Sequence, residues 1–489
     1  MNIRDDLARF DPPGPGGWKR LADHFPDSLT PEYQLLYAHT APAGMATYMA
    51  RYGVLARSID VGFVHGHLYI TPVPLAGPRQ ITRTPPSAAV WLLARLHPEF
   101  RRRNRAARRT LAERPWRAVT EAWFSTERRD WERRNEEIES IDVARLDNPE
   151  LSQHLCVCRT HARAGYRRHF ELHGDDLLPI GLLIARCVEW GIEPATAMRA
   201  LNGASPQSTG TITPPDWQLV TGYDLTSLTW CELDARPVVE RPRDVSALHL
   251  QSLLDAADHD EAEQLVADAR AAVPLRDDNG ALTGAWPMGL LRRAMLEAGR
   301  RLAFIDANLA VEATVDELMQ RLAGAVSPSS TDLAERRSER AIRSALDAPL
   351  TLGPEFAIPP LRALPRALAR IGAAQLATAD HMLAASAPVG VGTKNYVGRA
   401  LVVDDPSVAR DLMAAGDVVI TTFTSPSWNV ILFDAGAIVT TSGGLVSHAA
   451  VFARELGIPA VLGDPTATTR FTTGDTVRVD PIAGTVTAA

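Results

Sequence analysis

Apolar residues recur with two different spacings along this 489-residue chain. From residue 86 to about residue 383 they stand three to four positions apart, with arginine and glutamate between them, which predicts mainly helical structure. After residue 398 the pattern changes to short apolar runs, rich in β-branched residues, that alternate with helical segments. Such alternation predicts a small α/β domain. The sequence therefore predicts a multidomain α+β fold.

The same patterns divide the chain into four segments. Residues 1–85 form an N-terminal segment with some strand, and residues 86–385 form the large, mainly α-helical domain. Residues 386–397 are rich in glycine, which predicts a flexible linker. Residues 398–489 form the small α/β domain.

Composition and charge exclude several classes of protein. A hydrophobic content of 46% and a charged content of 22% are typical of a soluble globular protein. The net charge of −7 argues against general nucleic-acid binding. The chain contains no apolar run of about 18 residues, and its first ten residues are too charged for a signal peptide. Four cysteines in so long a chain do not form a disulfide framework. We expect a cytoplasmic protein without a membrane or nucleic-acid partner.

The candidate chemistry lies in a glycine loop between a predicted strand and a predicted helix. Gly443 and Gly444 interrupt the strand pattern and allow a tight turn, and Ser447 is a suitable N-cap for the helix. His448 then lies in the first helical turn, beside backbone N–H groups that can hold an anion. A neutral imidazole nitrogen is a competent nucleophile towards phosphorus. On spacing alone, an ordinary hydrogen-bonded histidine in an α/β turn explains the pattern equally well.

A longer sequence match to a known family favours the nucleophilic histidine over the ordinary hydrogen-bonded one. Residues 443–450, continued by residues 453–461, resemble the phosphohistidine (mobile, swivelling) domain of the phosphoenolpyruvate (PEP)-utilising enzymes. That family includes PEP synthase, pyruvate phosphate dikinase and rifampin phosphotransferase. The resemblance implies that His448 is transiently phosphorylated. It also implies phosphate-binding or supporting roles for Gly443, Gly444, Ser447, Arg454 and Thr440.

Shorter resemblances concern the rest of the chain. Residues 24–31 and 66–70 are similar to segments that open the substrate domain of rifampin phosphotransferase-like enzymes, and residues 290–318 are similar to its helical region. By this resemblance residues 1–85 and 86–385 form one substrate-type domain. The family's ATP-grasp domain would be missing. In agreement, no Gly-x-x-x-x-Gly-Lys-Ser/Thr loop occurs, and Lys19 is the only lysine before residue 394.

The resemblance implies a transfer in two steps. ATP and Mg²⁺ would bind to a separate ATP-grasp protein, His448 would accept the β-phosphoryl group, and a small-molecule acceptor would receive it at the helical domain. Two alternatives remain open. The first is an ATP-independent lyase or dehydratase of specialised metabolism that uses His448 as acid and base. The second is a binding protein without catalytic activity.

Several histidines crowd one segment of the helical domain. His169 and His173 are four residues apart, so both face one side if the segment is helical. No acidic residue completes a recognisable metal motif, and we predict no metal site. Instead His169, His173 or Asp175 is a candidate general base for an acceptor hydroxyl. The leading alternative is that they are ordinary histidines with no role in catalysis.

Overall fold

The computed structural model describes residues 9–22, 24–77, 84–204, 219, 224–229, 231–232, 247–354, 357–382 and 387–489. Helices predominate as far as residue 382, and we call this the helical part. Residues 389–488 form a sheet with short helices, and we call this the C-terminal part. The predicted α+β class is confirmed. Within the described ranges, no helix combines the length and the apolar character that a membrane span requires.

The helical part begins with a small antiparallel sheet. Its strands are β1 (Trp18–Arg20), β2 (Ala56–Val64), β3 (His67–Pro74) and β4 (Thr351–Leu352), in the order β2-β3-β1-β4. Strands β2 and β3 are joined by His65 and Gly66, which both have positive φ. Two such residues form the tight turn that matches the twist of a hairpin.

Thirteen α-helices lie in the described residues of this part. They are α1 (Pro31–Tyr52), α2 (Ser87–Leu96), α3 (Pro98–Glu113), α4 (Trp116–Ala122), α5 (Arg128–Glu139), α6 (Asn148–Asp176), α7 (Leu178–Glu189), α8 (Pro194–Met198), α9 (His259–Asn279), α10 (Trp286–Arg301), α11 (Val315–Leu322), α12 (Ser330–Ser344) and α13 (Arg366–Met382). Short 3₁₀ helices occupy Val143–Arg145, Arg199–Leu201, Leu250–Leu253, Ala256–Asp258, Ala307–Glu312 and Leu361–Ala363.

Helix α6 is the central element of the helical part. It starts at a capping box in which Asp147 and Glu150 bind each other's backbone N–H groups, an arrangement that satisfies two free donors of the first turn. Gly44 of α1 lets that helix approach closely, because a Cβ there would lie 2.6 Å from the Arg167 carbonyl oxygen. On another side, α6 packs against α10 and the segment that precedes it.

Two π-helical segments interrupt the helices of this part. One, Trp123–Glu127, joins α4 to α5; the other, Gly280–Ala285, joins α9 to α10. A π-helical segment changes which side chains a helix presents to its neighbours, and such segments occur often at functional sites. The second segment directly follows Asn279, a residue of the site described below.

The C-terminal part contains one seven-stranded sheet, in the order β11-β10-β6-β7-β8-β9-β5. The four central strands are parallel and the outer pairs are antiparallel. The strands are β5 (Val389–Val391), β6 (Tyr396–Val402), β7 (Val418–Thr421), β8 (Ala437–Thr440), β9 (Ala460–Leu462), β10 (Thr476–Asp480) and β11 (Thr485–Ala488). The helices are α14 (Pro406–Leu412), α15 (Asn429–Leu432), α16 (His448–Leu456) and α17 (Ala467–Arg470), with a 3₁₀ turn at Pro426–Trp428.

The predicted flexible linker differs from the structure at residues 389–391. These residues form β5, which pairs with β9 at the edge of the sheet. Gly390 is needed there for space rather than flexibility, because a Cβ would lie 1.7 Å from the Pro481 carbonyl oxygen. A glycine that permits close backbone approach and a glycine in a flexible linker give the same sequence signal.

The two parts are packed against each other. Buried Trp428, Leu445 and Val446 of the C-terminal part belong to the same hydrophobic cluster as the core of the helical part. A second cluster, around Val418 and Val439, fills the other face of the seven-stranded sheet. One face of that sheet is therefore turned towards the helical part, and the glycine loop lies on this side.

Candidate active site at the glycine loop

The glycine loop has the geometry that the sequence predicts. Strand β8 ends at Thr440, and Gly443 has a φ of +100°, a conformation that favours glycine. The side-chain oxygen of Ser447 accepts a hydrogen bond from the Ala450 N–H at 3.3 Å and caps α16. His448 is the first residue of that helix. The loop thus presents the imidazole at the positive end of a helix dipole.

Both nitrogens of the His448 ring are engaged by side chains of the C-terminal part. Nδ1 lies 2.8 Å from the Thr424 hydroxyl, and Nε2 lies 2.7 Å from Oδ1 of Asn429. The ring also stacks on Phe452, with centroids 5.9 Å apart. With the amide oxygen towards the ring, Nε2 donates and Nδ1 accepts from Thr424. A rotation of the Asn429 amide would reverse both roles, so that Nε2 accepts from the amide NH₂ group and Nδ1 donates to the Thr424 oxygen.

We predict that Asn429 controls the protonation of His448. An Asn429→Asp variant should hold the proton on Nε2 and raise the pKa of His448 by about one unit or more, because a carboxylate can only accept and adds a negative charge. Imidazole ¹⁵N chemical shifts, followed by NMR from about pH 3 to 7, report both quantities, since the wild-type pKa is about 3. A Thr424→Val variant is the control, because it removes the partner of Nδ1 without adding charge. Unchanged shifts in Asn429→Asp would mean that this contact is absent in solution.

The surroundings of His448 keep its ring neutral. The pKa of His448 is lowered to about 3, mainly by burial and also by the positive charge of Arg276 and by His24. Both of these neighbours belong to the helical part. The imidazole lone pair is therefore available throughout the physiological pH range.

The helical part presents a cluster of polar side chains to the histidine loop. Arg276 of α9 donates a hydrogen bond from Nη2 to the Val446 carbonyl, two residues before His448. On α6, the rings of His169 and His173 lie 4.7 Å apart and nearly perpendicular, so the predicted shared face is confirmed. The charge of Arg276 acts on both of these histidines as well as on His448.

Asn279 fixes the tautomer of His169. The NH₂ group of Asn279 lies 3.1 Å from His169 Nδ1, and the Thr283 hydroxyl lies 2.7 Å from both the amide oxygen and the backbone carbonyl oxygen of Asn279. His169 Nδ1 is therefore an acceptor, and Nε2 of the neutral ring carries the proton. His169 can donate a hydrogen bond from Nε2, whereas it cannot remove a proton there.

His173 and Asp176 carry unpaired buried atoms. In the part of the chain that the structure describes, His173 Nδ1 and Asp176 Oδ1 have no hydrogen-bond partner. Burial holds the pKa of His173 well below its usual value and raises the pKa of Asp176 to about 8. Nδ1 of His173 lies 3.9 Å from Oδ2 of Asp176. Unsatisfied buried polar atoms require an explanation, and a bound substrate group is one.

The structure does not support the predicted role of Asp175. Its carboxylate accepts from the Tyr52 hydroxyl and lies 3.6 Å from Arg51, and burial raises its pKa to about 6. Successive residues of a helix are about 100° apart, so Asp175 and Asp176 lie on different faces of α6. Asp176, rather than Asp175, is the carboxyl group beside His173.

Two of the predicted phosphate-supporting residues stabilise the loop from within. Arg454 is 6% exposed and donates from Nη1 to the Leu445 carbonyl at 2.7 Å. The Thr440 hydroxyl donates to the Ser442 carbonyl at 2.6 Å. Both contacts hold loop carbonyls in place. Gly443, Gly444 and Ser447 form the turn itself.

The neighbourhood of His448 does not suit a magnesium ion. Over the described ranges, no three or more His, Cys, Asp or Glu side chains are grouped to hold a metal. The carboxyl group of this cluster, Asp176, has a raised pKa and is mostly neutral at pH 7, whereas Mg²⁺ prefers ionised carboxylates.

Sequence reasoning missed most of the residues that surround His448. His24, Arg276, Asn279 and Asn429 carry no recognisable spacing relative to the glycine loop and are brought there by tertiary packing. Thr424 had a signal, because it opens a Thr-x-Pro-x-Trp loop that directly follows a predicted strand. Its contact with His448 depends on the parallel pairing of β7 and β8.

The sheet, the capped helix and the loop histidine define a small α/β domain with a candidate nucleophile at a helix N-terminus. Residues 413–484 match the family model described as "PEP-utilising enzyme, mobile domain". The C-terminal part thus contains a PEP-utilising enzyme mobile domain, and the resemblance predicted from residues 443–461 is confirmed.

Curated relatives match in the same region. The chain is 41% identical over 110 residues to an uncharacterised phosphotransferase of Bacillus subtilis, which is 22% of this chain and 13% of that protein. It is 46% identical over 92 residues to rifampicin phosphotransferase of Streptomyces sviceus, 19% of this chain and 10% of that protein. It is 43% identical over 96 residues to PEP synthase of Aquifex aeolicus, 20% and 11% respectively. The match therefore spans only a small fraction of each relative.

Proposed function

We propose that this chain is the carrier and acceptor component of a two-step phosphotransferase. His448 would accept a phosphoryl group from a nucleotide on an ATP-grasp partner and deliver it to a hydroxyl group of a small molecule bound at the helical part. The observation that carries the proposal is the position of His448. It is a neutral histidine at a helix N-terminus, and the charge that acts on it from the helical part is that of Arg276, which also acts on His169 and His173.

The first step would use the lone pair of the His448 ring. A ring nitrogen attacks the β-phosphorus of ATP, an N–P bond forms, and the AMP oxygen departs with the electron pair of the broken P–O bond. Water then cleaves the bond between the β- and γ-phosphates, and inorganic phosphate leaves. Free backbone N–H groups of the loop and the dipole of α16 would stabilise the added negative charge. The nitrogen must be unprotonated for this attack, which agrees with the lowered pKa of His448.

The second step would use the cluster on α6. The acceptor hydroxyl attacks phosphorus, an O–P bond forms, and the N–P electron pair returns to His448. The hydroxyl proton would pass to Nδ1 of His173, which has no other partner in the described residues. A dianionic phosphoryl group nearby would raise the pKa of His173 and strengthen it as a base. His169, held as an Nε2 donor, would orient the substrate.

In this proposal the helical residues form the substrate-type domain. Residues 1–85 and 86–385 contribute together, because β4 at residues 351–352 pairs with β1 at residues 18–20. The carrier domain would begin with β5 rather than at residue 398, since β5 belongs to its sheet.

The alternative in which His448 serves as acid and base is less suited to the site. An imidazole whose pKa is about 3 holds no proton to donate near pH 7, so it cannot serve as the acid. A neutral imidazole is suited to act as a nucleophile, because one ring nitrogen is unprotonated. We therefore retain phosphoryl transfer as the proposed reaction.

The test is transfer of label from ATP in the presence of a candidate ATP-grasp protein. We expect acid-labile label on His448 from β-labelled ATP and none from γ-labelled ATP, with peptide mapping to locate the modified residue. Label from the γ position, or label on another residue, would contradict the proposal. Label that appears without the ATP-grasp protein would contradict only one part of the proposal, namely that the donor is a separate protein.

A further inference from the structure

Arg276 is the charged side chain that links the helical part to the histidine loop. It lies near the end of α9, three residues before Asn279 and one turn from the π-helical segment. Its guanidinium donates to the Val446 carbonyl. Among the described residues, its charge acts on His448, His169, His173 and Asp176. Arg276 therefore connects the loop that carries His448 to the histidine cluster on α6.

We propose that Arg276 forms a binding position for the phosphoryl group on His448. In the unphosphorylated chain its guanidinium holds the Val446 carbonyl, and after phosphorylation it binds the phosphoryl oxygens instead. The inference rests on the proposed phosphorylation of His448. It adds an anion-binding residue on the helical part that no sequence motif indicates.

The charge balance of the cluster favours this exchange of partners. The carboxyl group that responds to Arg276 is Asp176, which burial keeps mostly neutral at pH 7, so it does not compensate the guanidinium. A backbone carbonyl offers only a partial negative charge. A phosphoryl dianion offers a full charge and two coplanar oxygens, and an Arg–phosphate pair is about twice as strong as a neutral hydrogen bond.

The Arg276 guanidinium lies beside the turn that carries His448, since it is hydrogen bonded to the Val446 carbonyl. Val446 is two residues before His448, at the edge of the same turn. Arginine has a long side chain, and its guanidinium presents several donors, so it can turn from the Val446 carbonyl to the phosphoryl oxygens. A phosphoryl group bound in this way is held on the side of the loop that faces His169 and His173.

Arg276 would also couple phosphorylation to docking. Phosphorylated His448 would gain an ion pair with the helical part, and that ion pair is lost once the phosphoryl group has passed to the acceptor. In the transfer step the N–P bond breaks, the O–P bond forms and the hydroxyl proton moves to His173. Arg276 would neutralise the equatorial oxygens without exchanging a proton.

The experiment uses the full chain with His448 phosphorylated chemically by phosphoramidate. The pKa of the phosphoryl group is then followed by ³¹P NMR from pH 6 to 9. We expect Arg276→Gln to weaken the preference for the dianion, which raises that pKa by about one unit, a tenfold change in proton affinity. Arg276→Lys should restore part of the effect because it keeps the charge and loses the bidentate geometry.

The matched control is Arg270→Gln on the same helix. Arg270 also donates to backbone carbonyls, those of Ala200 and Asn202 at 2.8 and 2.9 Å, but it is not part of the cluster. The Arg270→Gln variant should leave the pKa of the phosphoryl group on His448 unchanged. Equal pKa values in wild type and Arg276→Gln would overturn the inference. Because this loading is chemical, failure of ATP-dependent labelling would instead count against the proposed function.

Discussion

A His448→Gln variant should take up no acid-labile phosphate under conditions that label the wild-type chain. Glutamine can keep a hydrogen bond to Thr424 or Asn429, but its amide nitrogen has no free lone pair and cannot attack phosphorus. The imidazole that it replaces is neutral, so no buried charge is lost or left unpaired. We therefore expect complete loss of labelling together with a stability change of about 1 kcal/mol or less.

The matched variant is His169→Gln. His169 is also a buried histidine, with its pKa lowered to about 4 by burial, yet it lies on the acceptor side of the site. We expect His169→Gln to label normally from the donor and to retain its label longer when an acceptor is added. Thermal melting of both variants checks that they fold. Labelled His448→Gln would show that another residue accepts the phosphoryl group.

A Gly165→Ala variant should destabilise the helical part by about 2–3 kcal/mol. A Cβ at this position of α6 would lie 2.1 Å from the Thr283 carbonyl oxygen, which belongs to the π-helical segment. Neither helix can move without disturbing the buried packing between α6 and α10, and overpacking of this kind costs about 1–3 kcal/mol or more. The shift would also move Asn279 and His169, since Thr283 and Asn279 are hydrogen bonded.

Gly280→Ala is the control for this prediction. Gly280 opens the same π-helical segment, but a Cβ there would have no heavy atom within 4 Å. Alanine at such a position should stabilise by about 0.4–1 kcal/mol, because it restricts the unfolded chain. Denaturant unfolding, followed by tryptophan fluorescence, gives both free energies of unfolding. Similar values for the two variants would mean that the close approach at Gly165 is absent in solution.

Local structure around the glycine loop could be predicted from the sequence. Gly443 requires a positive φ, Ser447 caps the helix and Gly457 ends it in the left-handed conformation. Each of these features depends on the conformational preference of one residue and its immediate neighbours. The family match reaches the same residues because it too lies within one short stretch of chain.

The partners of His448 could not be predicted in this way. Asn429 is 19 residues away and Arg276 makes its contact across 170 residues. The sequence predicts Asp175 as a candidate base but does not fix the rotation of α6, and packing against Tyr52 turns this carboxylate away from His173.

The sequence by itself thus determined the elements, the loop and the identity of the candidate nucleophile. These depend on backbone preferences and on the periodicity of apolar residues, which act over a few positions. Only the tertiary structure decided that the histidine is neutral and which cation and histidines face it. Burial and charge at His448 come from helices distant in sequence, so they exist only once the two parts of the chain are packed together.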